Sequence, residues 1–546
     1  MKSPSVPFAL TILTMLTILG TSARAEESQE EGDDTPTEDR GVDPDPIRSR
    51  SGLMSEHPTL AERLERFEVS VHGDVRVRSS VFGNFDLDRG LTPSGRALFS
   101  LPLSDPSSQT LTHADMRARI DLTVMEPEGS GAFVRLSLLD GLSLGSAPAG
   151  LGIDSSRQLT PADAIQVVHA YARVATPIGL LVAGRTPSHF GLGLAANSGD
   201  AEDADFSDSA DRVAFNTPIF NHIFTLAYDF GSGPSSQGLS SSQSLDLDST
   251  DDVRTITFAT QRVRSERARA RRERVGKTTV DYGLGLSHRY QDRAYPVTEA
   301  GAGEPRATQA VDRRYRAFAG DLWARVTRRG VRIEAEAVLA VATLDEATLI
   351  PGVLLRNPVE SLQFGAVLES DFVLDPVTFG LDLGFASGDA APGFGSRISQ
   401  TTLPAEVGDL DGGQVSPPDD LRADNFKFHS QYRVDRILFR EIIGRVTDAM
   451  YARPHAEVEL LEVGRGSLRL SLALVASTAV YAESTPSGQK PLGIELDPTL
   501  AWINRDGFRL TLEHAVLFPL SGFDNPGAGL DARPAQLVRG RFFYAF

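Results

Sequence analysis

From Val69 onward the chain alternates with a period of two. In VSVHGDVRVR, Val69, Val71, Gly73, Val75 and Val77 fall on one side; Ser70, His72, Asp74, Arg76 and Arg78 fall on the other. Side chains two apart on a strand point the same way, so this is a strand with one apolar and one charged face. Ala114 to Val124 repeats the pattern, with Ala114, Met116, Ala118, Ile120, Leu122 and Val124 set against Asp115, Arg117, Arg119, Asp121 and Thr123. Strands of soluble sandwiches alternate too, but they are typically about five or six residues long. These run to about ten, the length that crosses a bilayer at a tilt. Lipid outside and water inside is the environment such a strand suits.

Similar segments recur at 133–140, 164–175, 179–187, 211–217, 222–230, 253–262, 278–290, 315–328, 331–343, 360–372, 377–386, 450–461, 468–480, 492–502, 509–518 and 538–546. The connections between them alternate in length. Short ones fall at 126–131, 176–179, 218–221, 328–330, 375–376, 462–466 and 504–507, with a longer Arg-rich one at 263–277. Long ones fall at 81–112, 141–162, 188–210, 231–252, 291–313, 344–358, 387–449, 481–491 and 519–537. Short turns on one side and long loops on the other predict an all-β transmembrane antiparallel β-barrel of about 18 strands, with both termini on the short-turn, periplasmic side. Residues 426–435 (FKFHSQYRVD) are strand-like, but counting them breaks the parity. The region 387–449 is therefore read as one long external loop, with Ile437 to Val446 helical and folded into the barrel mouth. A further strand pair there is its main competitor.

The two ends agree with export to a membrane. Residues 1–25 read as a cleaved signal peptide: Lys2, the apolar run Phe8 to Leu19, then Ala23-Arg24-Ala25. That run is too short for a transmembrane helix, which needs roughly 20 residues. Residues 26–57 read as a disordered acidic segment, since Glu26 to Asp45 carries ten carboxylates and almost nothing apolar. Pro58 to Phe67 has helical spacing, and the barrel is placed within 58–546. With no Cys there is neither a lipid-attachment thiol nor a disulfide framework. At the other end, Phe542, Tyr544 and Phe546 share one strand face, and Phe546 is the last residue.

That ending resembles the C-terminal signature of Gram-negative outer-membrane barrels, which implies the barrel-assembly machinery as a partner. The chain also resembles a poorly characterised porin-like outer-membrane family of myxobacteria and relatives. The likeness is carried by Val71-His72-Gly73 with Arg76 and Arg78, Phe82–Gly90, His113–Arg119, Gly184–Gly193, Asp203–Phe215, Tyr432–Ala449, Leu492–Asp497 and Leu517–Pro519. Gly184–Gly193 is in addition similar to a passage of general porins and alginate-export barrels. The resemblance implies the cell outer membrane, a porin-type architecture and, as is frequent among porins, a homotrimer. It names no substrate.

Three constellations carry candidate chemistry. Asp200, Asp203, Asp205, Asp208 and Asp211, with Glu202, supply enough hard oxygens for Ca²⁺, though without EF-hand spacing. A solvated external loop is the plainer reading of the same residues. Arg76, Arg78, Arg117, Arg119, Arg135, Arg173 and Arg185, set against acids such as Asp74, Asp115 and Asp121, fall on the polar face of the first five strands. They suit a charged pore lining, or a lattice of interior salt bridges that stiffens the wall. Gly141-Leu142-Ser143-Leu144-Gly145 matches a nucleophile elbow, with His113 or His169 as a base, but that motif belongs to a strand-to-helix turn in an α/β fold. No enzyme is expected. A net charge of −19 argues against nucleic acid. The basic stretch Arg262–Arg274 suits acidic lipid heads or the acidic N-terminal segment.

The expected function is a porin-like outer-membrane channel for diffusion of small polar solutes. The rival is a structural or surface-interaction barrel whose loops plug the pore.

Overall fold

The computed structural model describes residues 67–100, 108–143, 165–231, 236–238, 244–246, 249–295, 310–348, 357–396 and 405–546. The signal peptide, the acidic segment and most of the short helix expected at 58–67 lie outside these residues, as does the Leu144-Gly145 end of the elbow-like motif.

The dyad segments form one closed antiparallel sheet of 18 strands. They are β1 Glu68–Gly83, β2 Thr110–Met125, β3 Gly131–Ser143, β4 Ile165–Thr176, β5 Gly179–Pro187 and β6 Ser209–Ile219. Next come β7 His222–Phe230, β8 Arg254–Arg262, β9 Thr279–Gln291, β10 Tyr315–Arg328, β11 Val331–Leu344 and β12 Val359–Leu374. The last six are β13 Val377–Ala386, β14 Ala449–Val463, β15 Gly466–Ala479, β16 Pro491–Asn504, β17 Phe508–Pro519 and β18 Ala535–Ala545. Each pairs with its neighbours in sequence, and β1 pairs with β18, so no edge is left unpaired. A small hairpin, Ser236–Gly238 with Ser244–Asp246, decorates one long loop. Among the described residues no helix is long and apolar enough to cross a membrane.

The alternation decides which face is which. Val69 and Val71 are 63 % and 52 % exposed, whereas Arg76 is 0 % exposed. An apolar outer face over a charged, enclosed interior is the arrangement of a barrel set in lipid, inverted relative to a soluble core. Around the short-turn rim the outer face carries aromatic rings: Phe508 meets Phe542 edge-on at 4.8 Å and Trp502 at 5.5 Å, and Tyr544 stacks on Phe546 at 6.1 Å. Such rings favour the membrane–water boundary. The ladder runs to the final residue, because Phe546 exchanges both backbone hydrogen bonds with Gly73, at 2.9 and 3.0 Å. A Cβ on Gly73 would stand 2.5 Å from the Phe546 ring, so the bare position is what lets the terminal ring lie against β1.

Among the described residues of 387–448 none forms a strand of the barrel wall; Arg422 makes an isolated bridge to Glu360 of β12. Residues 426–435 form no strand; Lys427 makes only an isolated bridge to Thr447. The segment folds into the mouth and builds an apolar core there: Phe394, Phe428, Ile437, Leu438, Phe439, Ile442 and Ile443 are at most 2 % exposed. They pack against wall residues such as Val475, Leu492, Leu517 and Leu537. Within the expected helical stretch, Leu438–Ile443 forms a short π-helix. The Arg-rich connection also carries a helix, α1 (Glu266–Arg274), capped by Ser265.

Candidate functional site

The interior of the barrel is the site, and two inward-folded loops define it. The loop between β5 and β6 crosses the lumen from wall to wall. At one end the backbone N–H groups of Leu192 and Leu194 donate to the Glu336 carboxylate on β11, the latter at 3.1 Å. At the other end Ala204, Asp203 and Asp205 reach arginines of β1 and β2. Arg76 donates to the Ala204 carbonyl at 3.0 Å and to Asp205 at 2.8 Å, and Arg117 donates to the same carbonyl. Arg119 donates to the Gly199 carbonyl at 2.7 Å. The loop is thus a strap, held by carboxylate on one wall and guanidinium on the other.

Asp203 is the hub of the arginine side. Arg78, Arg433, Arg440 and Arg541 all pair with it, from β1, from the 387–448 segment and from β18. Asp205 takes Arg76, Arg78 and Arg433. Burial alone would push the Asp203 carboxyl up, but the guanidiniums of Arg440, Arg433, Arg541 and Arg78 outweigh it and hold this group well below the usual carboxylate range. Asp205 is lowered in the same way, burial being outweighed by Arg433, Arg78 and Arg76.

The second loop is positioned by backbone capping. Glu495 on β16 accepts from the N–H groups of Arg436, Ile437 and Leu438 at 2.8–2.9 Å, and Asp435 accepts from those of Phe439 and Arg440. These carboxylates satisfy the donors that a helix start leaves without partners. The turn so fixed aims Arg440 at Asp203, while its neighbour Glu441 accepts from Arg539 of β18 at 2.8 Å.

Across the lumen the wall changes sign. On β9 to β13, Asp281, Glu334, Glu336, Glu369, Asp371 and Asp382 alternate inward; Arg325, Arg332 and Arg453 partly neutralise them. The Trp323 indole N–H donates to Glu334 at 2.8 Å. An arginine-rich wall thus faces a carboxylate-rich one, with the strap between. Beside the strap's tip a cavity of about 260 Å³ opens among Arg78, His113, Phe206, Arg433, Arg440 and Arg539.

Of the lining residues read from the sequence, Arg76, Arg78, Asp115, Arg117, Arg119, Asp121, Arg135 and Arg173 lie on inward-facing positions. Asp115 pairs with both Arg76 and Arg78, and Arg135 forks onto Asp121 at 2.7 Å. Arg173 lies near the short-turn rim, over the Phe133 ring at 4.9 Å. Arg185 is a correction. Its parity is that of Leu181 and Ala183, and its opposite number Asp211 shares the parity of outward Val213, so both point away from the lumen. There they neutralise each other in a two-pronged pair at 2.8 Å. Charge suggested the inner face, but a paired charge close to the outer rim tolerates the outer one.

The five aspartates do not gather as a cation cage. Asp200 pairs with Arg135, Asp203 and Asp205 with the arginines above, Asp208 with His429 at 3.2 Å, and Asp211 with Arg185. The repulsion that suggested Ca²⁺ is relieved by guanidinium instead. Among the described residues no group of three or more His, Cys, Asp and Glu side chains is placed to hold a metal ion. Ser143 is the last residue of a barrel strand, paired with Asp115, and the rest of the elbow-like motif lies outside the described residues. Arg433, Arg440, Arg539, Arg541 and Glu336 escape the sequence reading. The parity of VRIEAEAVLA and LVRGRFFYAF marks Glu336, Arg539 and Arg541 as inward, but nothing local reveals Arg433 or Arg440.

No family model matches the chain, and no curated protein does. Solved structures similar to it include the outer-membrane protein OpdK from Pseudomonas aeruginosa with vanillate, at 11 % identity and TM-score 0.42, covering 87 % of this chain and 98 % of that one. Another is a BenF-like porin from Pseudomonas fluorescens Pf-5, at 8 % identity and TM-score 0.43, covering 88 % and 98 %. A third is OmpT, an outer-membrane protein of Vibrio cholerae, at 8 % identity and TM-score 0.35, covering 88 % and 98 %.

Proposed function

We propose that this chain is an outer-membrane, porin-like channel through which small polar solutes diffuse. The observation that carries the reading is the strap between β5 and β6, fixed to Glu336 at one wall and to Arg76 and Arg117 at the other. A solute crossing the barrel has to pass a constriction bordered by opposed charges, which sort solutes by size and by charge distribution. Fixed dipoles and ions of this kind act without reorganising, so selectivity comes from the lining and not from tight binding. The mechanism is passage through a wet lumen; no catalytic step belongs to it.

Export through the 1–25 signal peptide, insertion by the barrel-assembly machinery through the β18 end, and kinship with the myxobacterial porin-like family belong to the same reading. A homotrimer in the membrane does as well. The acidic strap stays an ion-paired constriction in this reading, with Ca²⁺ as a ligand to be tested by calorimetry. Discrete conductance steps in planar bilayers, with a reversal potential displaced from zero in a salt gradient, are the expected result. Bilayers that take up the folded barrel yet stay silent would favour the plugged, non-transporting alternative, for which the apolar core built by 387–448 supplies the means.

A further inference from the structure

On the lipid-facing side of β8 to β11 the strand register lines up three rows of outward side chains. Nearest the long-loop rim stand Arg254, Tyr290, Arg316 and Thr343; next come Ile256, His288, Phe318 and Val341; then Phe258, Leu286, Gly320 and Leu339. Their outward direction is set by alternation: Phe318 is 55 % and Leu339 50 % exposed, while Asp281 and Val338, on the other parity, are buried. The third row has a gap, because Gly320 carries no side chain between Leu286 and Leu339. The gap is part of a groove of about 410 Å³, bordered by Phe258, Leu286, Phe318, Leu339 and Val341.

Directly above the groove, the first row is polar. The Arg316 guanidinium lies over the Tyr290 ring at 5.6 Å. It donates to the Gln291 and Tyr315 carbonyls at 3.2 and 2.8 Å and to Asp292 at 2.5 Å, and its side chain is still 39 % exposed. Arg254 donates to the Ser249 carbonyl, lies 3.9 Å from Asp252 and is 25 % exposed. Two interstrand steps place the two arginine backbones about 10 Å apart. His288 stacks on Phe318 at 4.2 Å and on Tyr290 at 5.3 Å, completing an aromatic band at the depth where headgroups meet acyl chains.

We infer that this face binds one phosphate-bearing lipid of the external leaflet, with an acyl chain in the groove at Gly320 and the phosphate at Arg254 and Arg316. An apolar slot fits a chain, and a guanidinium fork matches a phosphate. The vertical order of the rows matches the order of chain, interface and headgroup in a leaflet. The inference rests on the membrane-barrel reading and adds a ligand to its outer surface.

Native mass spectrometry of the full chain, purified in a detergent without phosphate, tests it with three probes: dioleoylphosphatidate, dioleoylglycerol and inorganic phosphate. The expected result is a single phosphatidate adduct, with neither the chain-only nor the phosphate-only probe retained. Gly320→Leu fills the groove; a Cβ there has its nearest neighbour at an ordinary 3.6 Å, so the wall has room for it. That variant, and separately the Arg254→Gln/Arg316→Gln pair, should each weaken phosphatidate binding about tenfold or more. Dioleoylglycerol bound as well as phosphatidate, inorganic phosphate bound alone, or a graded ladder of adducts that neither variant changes, meaning annular lipid only, would each overturn the site. Conductance measured on the same variants separates the two ideas: it persists if only the lipid site is wrong and is missing from the wild type if the channel reading is wrong.

Discussion

Arg78 on the first strand and Asp203 in the β5–β6 loop are 125 residues apart in the chain and 3.0 Å apart in the barrel. This pair joins wall to strap, and Arg433 and Arg440 tie the 387–448 segment to the same carboxylate. Removing Asp203 takes from Arg78, Arg433, Arg440 and Arg541, and from Arg76 at 3.9 Å, the carboxylate they share. Losing one side of a buried ion pair costs about 3–5 kcal/mol. Asp203→Asn should therefore loosen the strap, raise single-channel conductance and expose the strap's Phe190, Leu192 and Phe206 to chymotrypsin, with the barrel itself still resisting unfolding by SDS at room temperature.

The opposite anchor gives an independent handle on the same strap. Glu336→Ala leaves the Leu192 and Leu194 N–H groups unpaired, at about 1–3 kcal/mol each. Its effect on conductance should resemble that of Asp203→Asn. The double variant should fall well short of additive, since a strap freed at one end has little left to lose at the other. Fully additive effects would mean that the two anchors hold separate structures.

Most of the fold was legible because a bilayer imposes a rule that local sequence must obey. The segments around Val69–Val77 and Ala114–Val124 show it openly, and the long-short rhythm of connections correctly excluded Phe426–Asp435 from the wall. The site was half legible. Inward Arg76, Arg78 and Arg117 follow from parity, but which carboxylate each meets depends on how the loops fold back. Asp203 and Arg440 come together only through the Glu495-capped turn, a contact between residues too distant for any local pattern to record. Arg185 misled because residue charge was given more weight than the parity set by Leu181 and Ala183.

The arginine end of the strap should be insensitive to mild acid. Asp203 and Asp205 have folded-state pKa values depressed by arginines, so their stabilisation is complete above the unfolded value of about 3.9 and is lost only as pH falls through the lower folded values. Conductance should stay level from pH 7 to about pH 5 and change only below about pH 4. An opening transition between pH 7 and pH 5 would show that another group holds the loop.

At the closing seam, the Phe546 ring lies against bare Gly73. Gly73→Val pushes that ring aside and overpacks the β1–β18 junction, a change that typically costs about 1–3 kcal/mol. The heat-modifiable, folded band on a gel should weaken. Pairing Gly73→Val with Phe546→Ala should recover only part of it, because the ring contact is removed while the new Cβ still meets the Arg119 carbonyl at 2.7 Å.

The central claim is that these strands form a lipid-embedded cylinder whose charged, strapped interior still conducts. Single-channel recording of the purified full chain in planar bilayers tests it most directly. Discrete steps are expected, and they should grow when Asp203→Asn frees the strap. A barrel that inserts and passes no current with either chain, or a mature chain that stays dispersed in water without detergent, would contradict it.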